Sequence, residues 1–165
     1  MRHSFCLLAL LLIAGCATAP RTQLQRPVDP WPADALVTQR AVLTVFGGRQ
    51  FTLNGYLARS ATNGQRLVIT ENFGNVLADV LITPDQQTHV MKSSRVFKPK
   101  WIERYIAADV RCLFGNATEG DCPGQTLGPN HFLIERRWYK LDLQIVDIKP
   151  GLQPAMMFAA PKPAP

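Results

Sequence analysis

Thr62-Asn63-Gly64-Gln65-Arg66-Leu67-Val68-Ile69-Thr70 sets an Asn-Gly pair directly ahead of a β-rich run. Asn-Gly between two such runs is a strong signal for a tight hairpin. The run before it, Phe51-Thr52-Leu53-Asn54-Gly55-Tyr56-Leu57, alternates as a half-buried strand does, with Phe51, Leu53 and Leu57 on one face. Gly55 lies between them and marks a bulge or bend.

The same rhythm extends outward in both directions. Upstream, Ala41-Val42-Leu43-Thr44-Val45-Phe46 is stopped by Gly47-Gly48. Downstream, Phe73-Gly74-Asn75 leads into Val76 to Thr83, which Pro84-Asp85 ends, and His89 to Lys92 reads as a further short strand. Short strands joined by tight turns predict an antiparallel meander, because parallel pairing requires long crossovers.

At Lys98 the period becomes helical. Through Val110, Trp101, Tyr105 and Ala108 form one stripe, Ile102 and Ile106 lie beside it, and Pro99 suits a first turn. An apolar aromatic stripe packs by default on a sheet, and it can also line a cavity. Two β-rich runs follow, Phe132 to Lys140 and Leu141 to Ile148, with no sharp turn between them. They read as two strands or as one long strand that bends. Pro150-Gly151 turns the chain, and Ala155 to Ala159 reads as a returning last strand. The predicted fold class is mainly β with one or two helices.

Export is legible at the start of the chain. Arg2 precedes the apolar stretch Phe5 to Ala14, which is roughly half the ~20 residues that a spanning helix needs, so residues 1–15 read as a signal peptide. The string Leu12-Ile13-Ala14-Gly15-Cys16 resembles the lipobox of bacterial lipoproteins, in which the cysteine is acylated and the chain is cut ahead of it. Several acyl chains on Cys16 would make attachment effectively permanent, since each buried methylene contributes about 0.8 kcal/mol. In the lipoproteins it resembles, Asp after the cysteine retains the protein at the inner membrane. Ala17 carries no such mark, so the expected location is the outer membrane, facing the periplasm. Residues 16–35, rich in Pro, Gln and Thr, read as a tether, residues 36–160 as one domain and 161–165 as a disordered Pro-Ala tail.

Composition bounds the function. A hydrophobic share of 47% and a charged share of 18% are globular values. Without Arg2, 17 Lys plus Arg face 12 Asp plus Glu, a balance of +5, with no compact basic run. Arg95, Lys98, Lys100 and Arg104 come nearest to a cluster, interleaved with Phe97 and Trp101. In an exported protein that pattern suits anionic lipid head groups or a solvated helix start, and nucleic acid is not an expected partner.

With Cys6 in the signal and Cys16 lipidated, Cys112 and Cys122 remain in an oxidising compartment and are expected to pair. Closing that loop stabilises the fold by about 2.5–3 kcal/mol in the chain-entropy account. No cysteine-histidine spacing suits zinc, so neither a metal nor a cofactor is expected. Asn116-Ala117-Thr118 matches a glycosylation acceptor by chance in a bacterial chain. His89 and His131 are the only histidines of the mature chain, and no catalytic motif occurs. Cys112 with His131 would be the nearest to a nucleophile and base, but a disulfide sulfur cannot attack. Asp79, Asp109, Asp142 and Asp147 read as dispersed, solvated carboxylates, and the chain is expected not to be an enzyme.

Lipobox, Pro-rich tether, antiparallel meander, aromatic helix and closing strands ending in Leu152-Gln153-Pro154 together resemble the LolA/LolB-like family of bacterial lipoprotein carriers and receptors. The resemblance is nearest to outer-membrane lipoproteins encoded with aryl polyene pigment synthesis. It covers Leu36 to Phe158 and rests on pattern. It implies a curved antiparallel sheet forming an incomplete (half) barrel under a helical lid, with an apolar cavity for acyl chains. On that reading Trp101, Tyr105, Phe51, Leu53 and Leu57 are the expected ligand-binding residues. The receptor in that family carries an exposed apolar residue on a protruding loop. Phe73 is the apolar candidate among the turns here, open between that role and a core position. The expected function is binding or handing over a lipid-like or acyl ligand, in aryl polyene-lipid export or lipoprotein localisation, with a periplasmic carrier protein as partner. A structural lipoprotein with a filled core is the alternative.

Overall fold

A computed structural model describes residues 31–115, 122–151 and 155–158. The expected signal, Cys16, the tether up to residue 30, the Asn116-Ala117-Thr118 sequence, Leu152-Gln153-Pro154 and the Pro-Ala tail lie outside the described residues.

Eight strands make one antiparallel sheet: β1 (Ala35–Val45), β2 (Gln50–Ser60), β3 (Gly64–Glu71), β4 (Val76–Ile82), β5 (Thr88–Ser93), β6 (Gly124–Gly128), β7 (His131–Arg136) and β8 (Tyr139–Pro150). Their order is β5-β4-β3-β2-β1-β8-β7-β6, and the sheet is not closed. The long strands β1, β2 and β8 sit at its centre, and the short strands β5 and β6 form its edges. Short edge strands limit the unpaired backbone offered to other chains.

The hairpin at Asn63-Gly64 forms as expected, with Arg59 paired to Gln65 and Ser60 to Gly64. Gly64 has φ +88°, and a Cβ there would lie 2.1 Å from the Ile82 carbonyl oxygen, so the turn requires glycine.

Helix α1 runs through residues 99–114 between the two edge strands. It consists of Pro99–Trp101, a wide i→i+5 turn over Ile102–Ile106, and Ala107–Phe114. It lies against the inward face of the sheet, where Val37, Ala41 and Leu43 of β1, Leu53 and Leu57 of β2, Leu67 and Ile69 of β3 and Leu143 and Ile145 of β8 meet Ile102, Ile106, Val110 and Leu113. The whole is an incomplete, curved barrel with a helical lid. The buried stripe of α1 is Ile102-Ile106-Val110-Leu113. Trp101, Tyr105 and Ala108, expected to lead the covering face, are half-buried at its flank.

Four further details differ from expectation. Trp31, assigned to the tether, donates its indole N–H to the Leu113 carbonyl at 2.9 Å and packs on Phe114 and Phe132, so the folded body begins before residue 36. Strand β6 had no expected counterpart. The break between the last two strands falls at Arg137-Trp138, not after Lys140, and the chain reverses there as a hairpin. Ala155–Phe158 forms a short helix, α2, and not a strand. Arg66 donates to the Met157 carbonyl, placing α2 beside β3, where Arg66 also makes a two-point contact with Asp79 at 2.9 and 2.6 Å.

Candidate functional site

Between α1 and the central strands lies a cavity of ≈ 60 Å³. Its walls are mostly apolar, with Leu43, Leu53, Ile69, Leu143, Trp101 and Leu113 among the lining side chains, and Gln39, Asn54 and Asp109 are polar residues in the lining. A second, polar cleft of ≈ 210 Å³ lies near the C-terminal end of α1; of its lining side chains, Arg59 Nη2 and Gln65 Nε2 donate to the Phe114 carbonyl, while Arg59 Nε and Gln65 Oε1 are buried without a partner. Walled mainly by hydrophobic and aromatic side chains with a few polar groups, the first cavity is the better candidate for an apolar ligand.

Of the expected ligand-binding residues, Trp101 and Leu53 line this cavity. Tyr105 stands behind Trp101, their rings 5.5 Å apart, and meets Tyr139 edge-on at 5.8 Å. Trp101 also stacks on Phe97 at 5.3 Å and packs on Tyr139 at 5.3 Å. Phe51 packs on the core from β2, with Arg49 over its ring, and Leu57 is fully buried in the core; neither lines the cavity.

The lid is held differently at its two ends. Near its C-terminus, Arg59 and Gln65 both donate to the Phe114 carbonyl at 2.9 and 3.0 Å. They satisfy an acceptor that the helix leaves without an internal partner, and Arg59 adds a cation at the negative end of the helix dipole. Cys112, buried on α1, lies at disulfide distance from Cys122, with Cα atoms 5.4 Å apart. The other end rests on the aromatic cluster and on the wide turn at Ile102–Ile106.

One ion pair crosses the middle. Asp109, expected in solvent, is only 5% exposed and lines the cavity. Arg136 Nε donates to its Oδ1 at 2.8 Å, and Nη2 lies 2.6 Å from the same oxygen as a charge contact without hydrogen-bond alignment. Tyr139 donates its hydroxyl to Oδ2. Burial pushes the Asp109 carboxyl up to about 6, against the opposing pull of Arg136 and Tyr139. Burial, then the Asp109 charge, holds the Tyr139 phenol well above its ordinary value. The other carboxylates in question also have partners: Asp79 has Arg66, Asp142 has His131 at 2.7 Å, and Asp147 has Lys149 at 3.7 Å.

Gln39 is the residue that the sequence reading passed over. It lies on the inward face of β1 at 5% exposure, lines the cavity, and its carbonyl Oε1 has no hydrogen-bond partner. Gly55, its register partner on β2, makes room for it: a Cβ there would come within 2.6 Å of Gln39 Cγ and Nε2. The register of β1 against β8 also shifts between Thr38 and Gln39. The legible signal was a glutamine in phase with Val37, Ala41 and Leu43, and an aspartate between Ile106 and Val110.

Phe73 is not core. It is 90% exposed on the β3–β4 turn, at the end of the sheet where Phe46, 82% exposed, and Trp138 also project from turns. Among the described residues, no group of three or more His, Cys, Asp or Glu side chains is placed to hold a metal ion, and no helix is long and apolar enough to cross a membrane. No protein-family model matches the chain, and no curated protein matches it.

Proposed function

We propose that this chain is a lipid-anchored, non-catalytic protein of the bacterial outer membrane that takes up an acyl or other lipid-like chain beneath helix α1 and hands it on in the periplasm. The apolar cavity enclosed by Trp101, Leu53, Leu43, Leu113 and Leu143 carries this reading. Supporting it are the lipobox ending at Cys16, the open barrel with its lid, and the aromatic hold on one end of that lid. Membership of the LolA/LolB-like family, and a role beside aryl polyene-lipid export or lipoprotein localisation, belongs to the same proposal. Phe73 supports it by supplying the exposed apolar side chain on a turn that the resemblance implies.

The cavity as it stands is small. Ligand pockets hold roughly 300–1,000 Å³, so ≈ 60 Å³ takes only a segment of a chain until the lid moves. The Trp101 end is the part free to do so, because the other end is tied by the disulfide and by Arg59. Trp101→Ala with Tyr105→Ala is expected to weaken uptake of a fluorescent fatty acid about tenfold or more, with the β-sheet circular dichroism unchanged. Wild-type affinity in that variant refutes the assignment. The same small volume favours a second reading, a scaffold with a nearly filled core. Chemical cross-linking to a protein partner, without uptake of any acyl probe, would support it.

A further inference from the structure

Within the reading of the cavity as an acyl site, on which this inference rests, we infer that the preferred ligand is an apolar chain bearing a hydroxyl group, which Gln39 binds. A buried carbonyl without a hydrogen bond costs about 1–3 kcal/mol, and native interiors rarely keep such a group without a function or an unfilled partner. Gln39 Oε1 is in that position, among side chains that are otherwise mostly apolar. Three features of the fold support it there. Gly55 leaves the space in which the side chain lies. The β1–β8 register shifts beside it, and such irregularities re-aim side chains. Its strand position lies four residues, roughly 13 Å, from Leu43 on the same inward face, well inside the cavity.

The chemistry selects among polar groups. A cationic ligand would need a free anion, but Asp109 is engaged by Arg136 and Tyr139. A negative charge inside the cavity would be repelled by Asp109, whose neighbour Arg136 is already paired with it, so the carboxylate of a fatty acid stays outside and the group that reaches Gln39 is neutral. A neutral donor remains. A hydroxyl suits a primary amide at either end, because it donates to the carbonyl and accepts from the N–H₂. Nothing in a plain alkyl chain can satisfy Gln39.

The test is competition for the fluorescent fatty acid between hexadecanoic acid and the positional isomers of hydroxyhexadecanoic acid. At least one hydroxy isomer is expected to bind the wild-type protein about tenfold more tightly than hexadecanoic acid, and Gln39→Leu should abolish that preference while binding hexadecanoic acid at least as well. Gln39→Met serves as a second variant, with thermal unfolding confirming that each is folded. Equal affinity for all the acids in the wild type, or a hydroxyl preference that survives in both variants, overturns the role of Gln39 while leaving the acyl site standing. Uptake of none of the acids overturns the acyl site and this inference together.

Discussion

Asp109 occupies the apolar side of α1 because Arg136 and Tyr139 meet it from the sheet, and its titration reports how dry that contact is. The carboxyl has an ordinary value of 3.8 and is raised to about 6 in the folded protein by burial. Between these values the folded state binds more protons than the unfolded state, so this residue's contribution to stability falls as pH rises from about 4 to about 6 and is constant above. Urea unfolding across that window should therefore show a steeper loss of stability with pH in the wild type than in Asp109→Asn. Parallel profiles would mean that the carboxyl is not buried as described. From sequence, a lone aspartate on a helix defaults to solvent, and the partners that reverse this lie 27 and 30 residues away. Gln39 escaped notice for a related reason: inward phase is legible, but the absence of a partner is a tertiary fact.

At the scale of elements, local chemistry revealed what it controls. Asn63-Gly64 and Gly47-Gly48 announced their hairpins because glycine and asparagine accept the backbone angles of tight turns. Arg137-Trp138 did not, because contacts from elsewhere help to hold that reversal: Phe46 N–H donates to the Trp138 carbonyl at 3.0 Å, and the two rings meet at 6.3 Å. Strand β6 is short, exists by pairing with β7, and begins at a glycine, so its β-propensity is weak. The helix was legible from its period, and its covering stripe was misplaced by one position because the isoleucines, not the larger aromatics, face the sheet. The link between Cys112 and Cys122 ties the end of α1 to the segment leading into β6. Replacing both cysteines by serine is expected to lower stability by about 2.5–3 kcal/mol, read from urea midpoints. An unchanged midpoint under oxidising conditions would show that the pair contributes nothing.

As a whole molecule, the protein is a sheet that curves without closing, with a single helix leading from one edge strand to the other. That arrangement divides the apolar interior into a part filled by sheet and helix and a small part that is not filled. Sequence could indicate the arrangement, since alternation and a helical stripe predict a sheet and its cover. It could not indicate the void, because inward leucines look alike whether they touch each other or a ligand. The measurement that tests the central claim most directly is mass spectrometry of the organic-solvent extract of the protein purified from the periplasm, with a plain cleavable signal in place of residues 1–15 and with Cys16→Ser. An acyl or polyene lipid in about one-to-one ratio with the protein is the predicted result. A folded protein that yields no lipid and takes up no added fatty acid would contradict it.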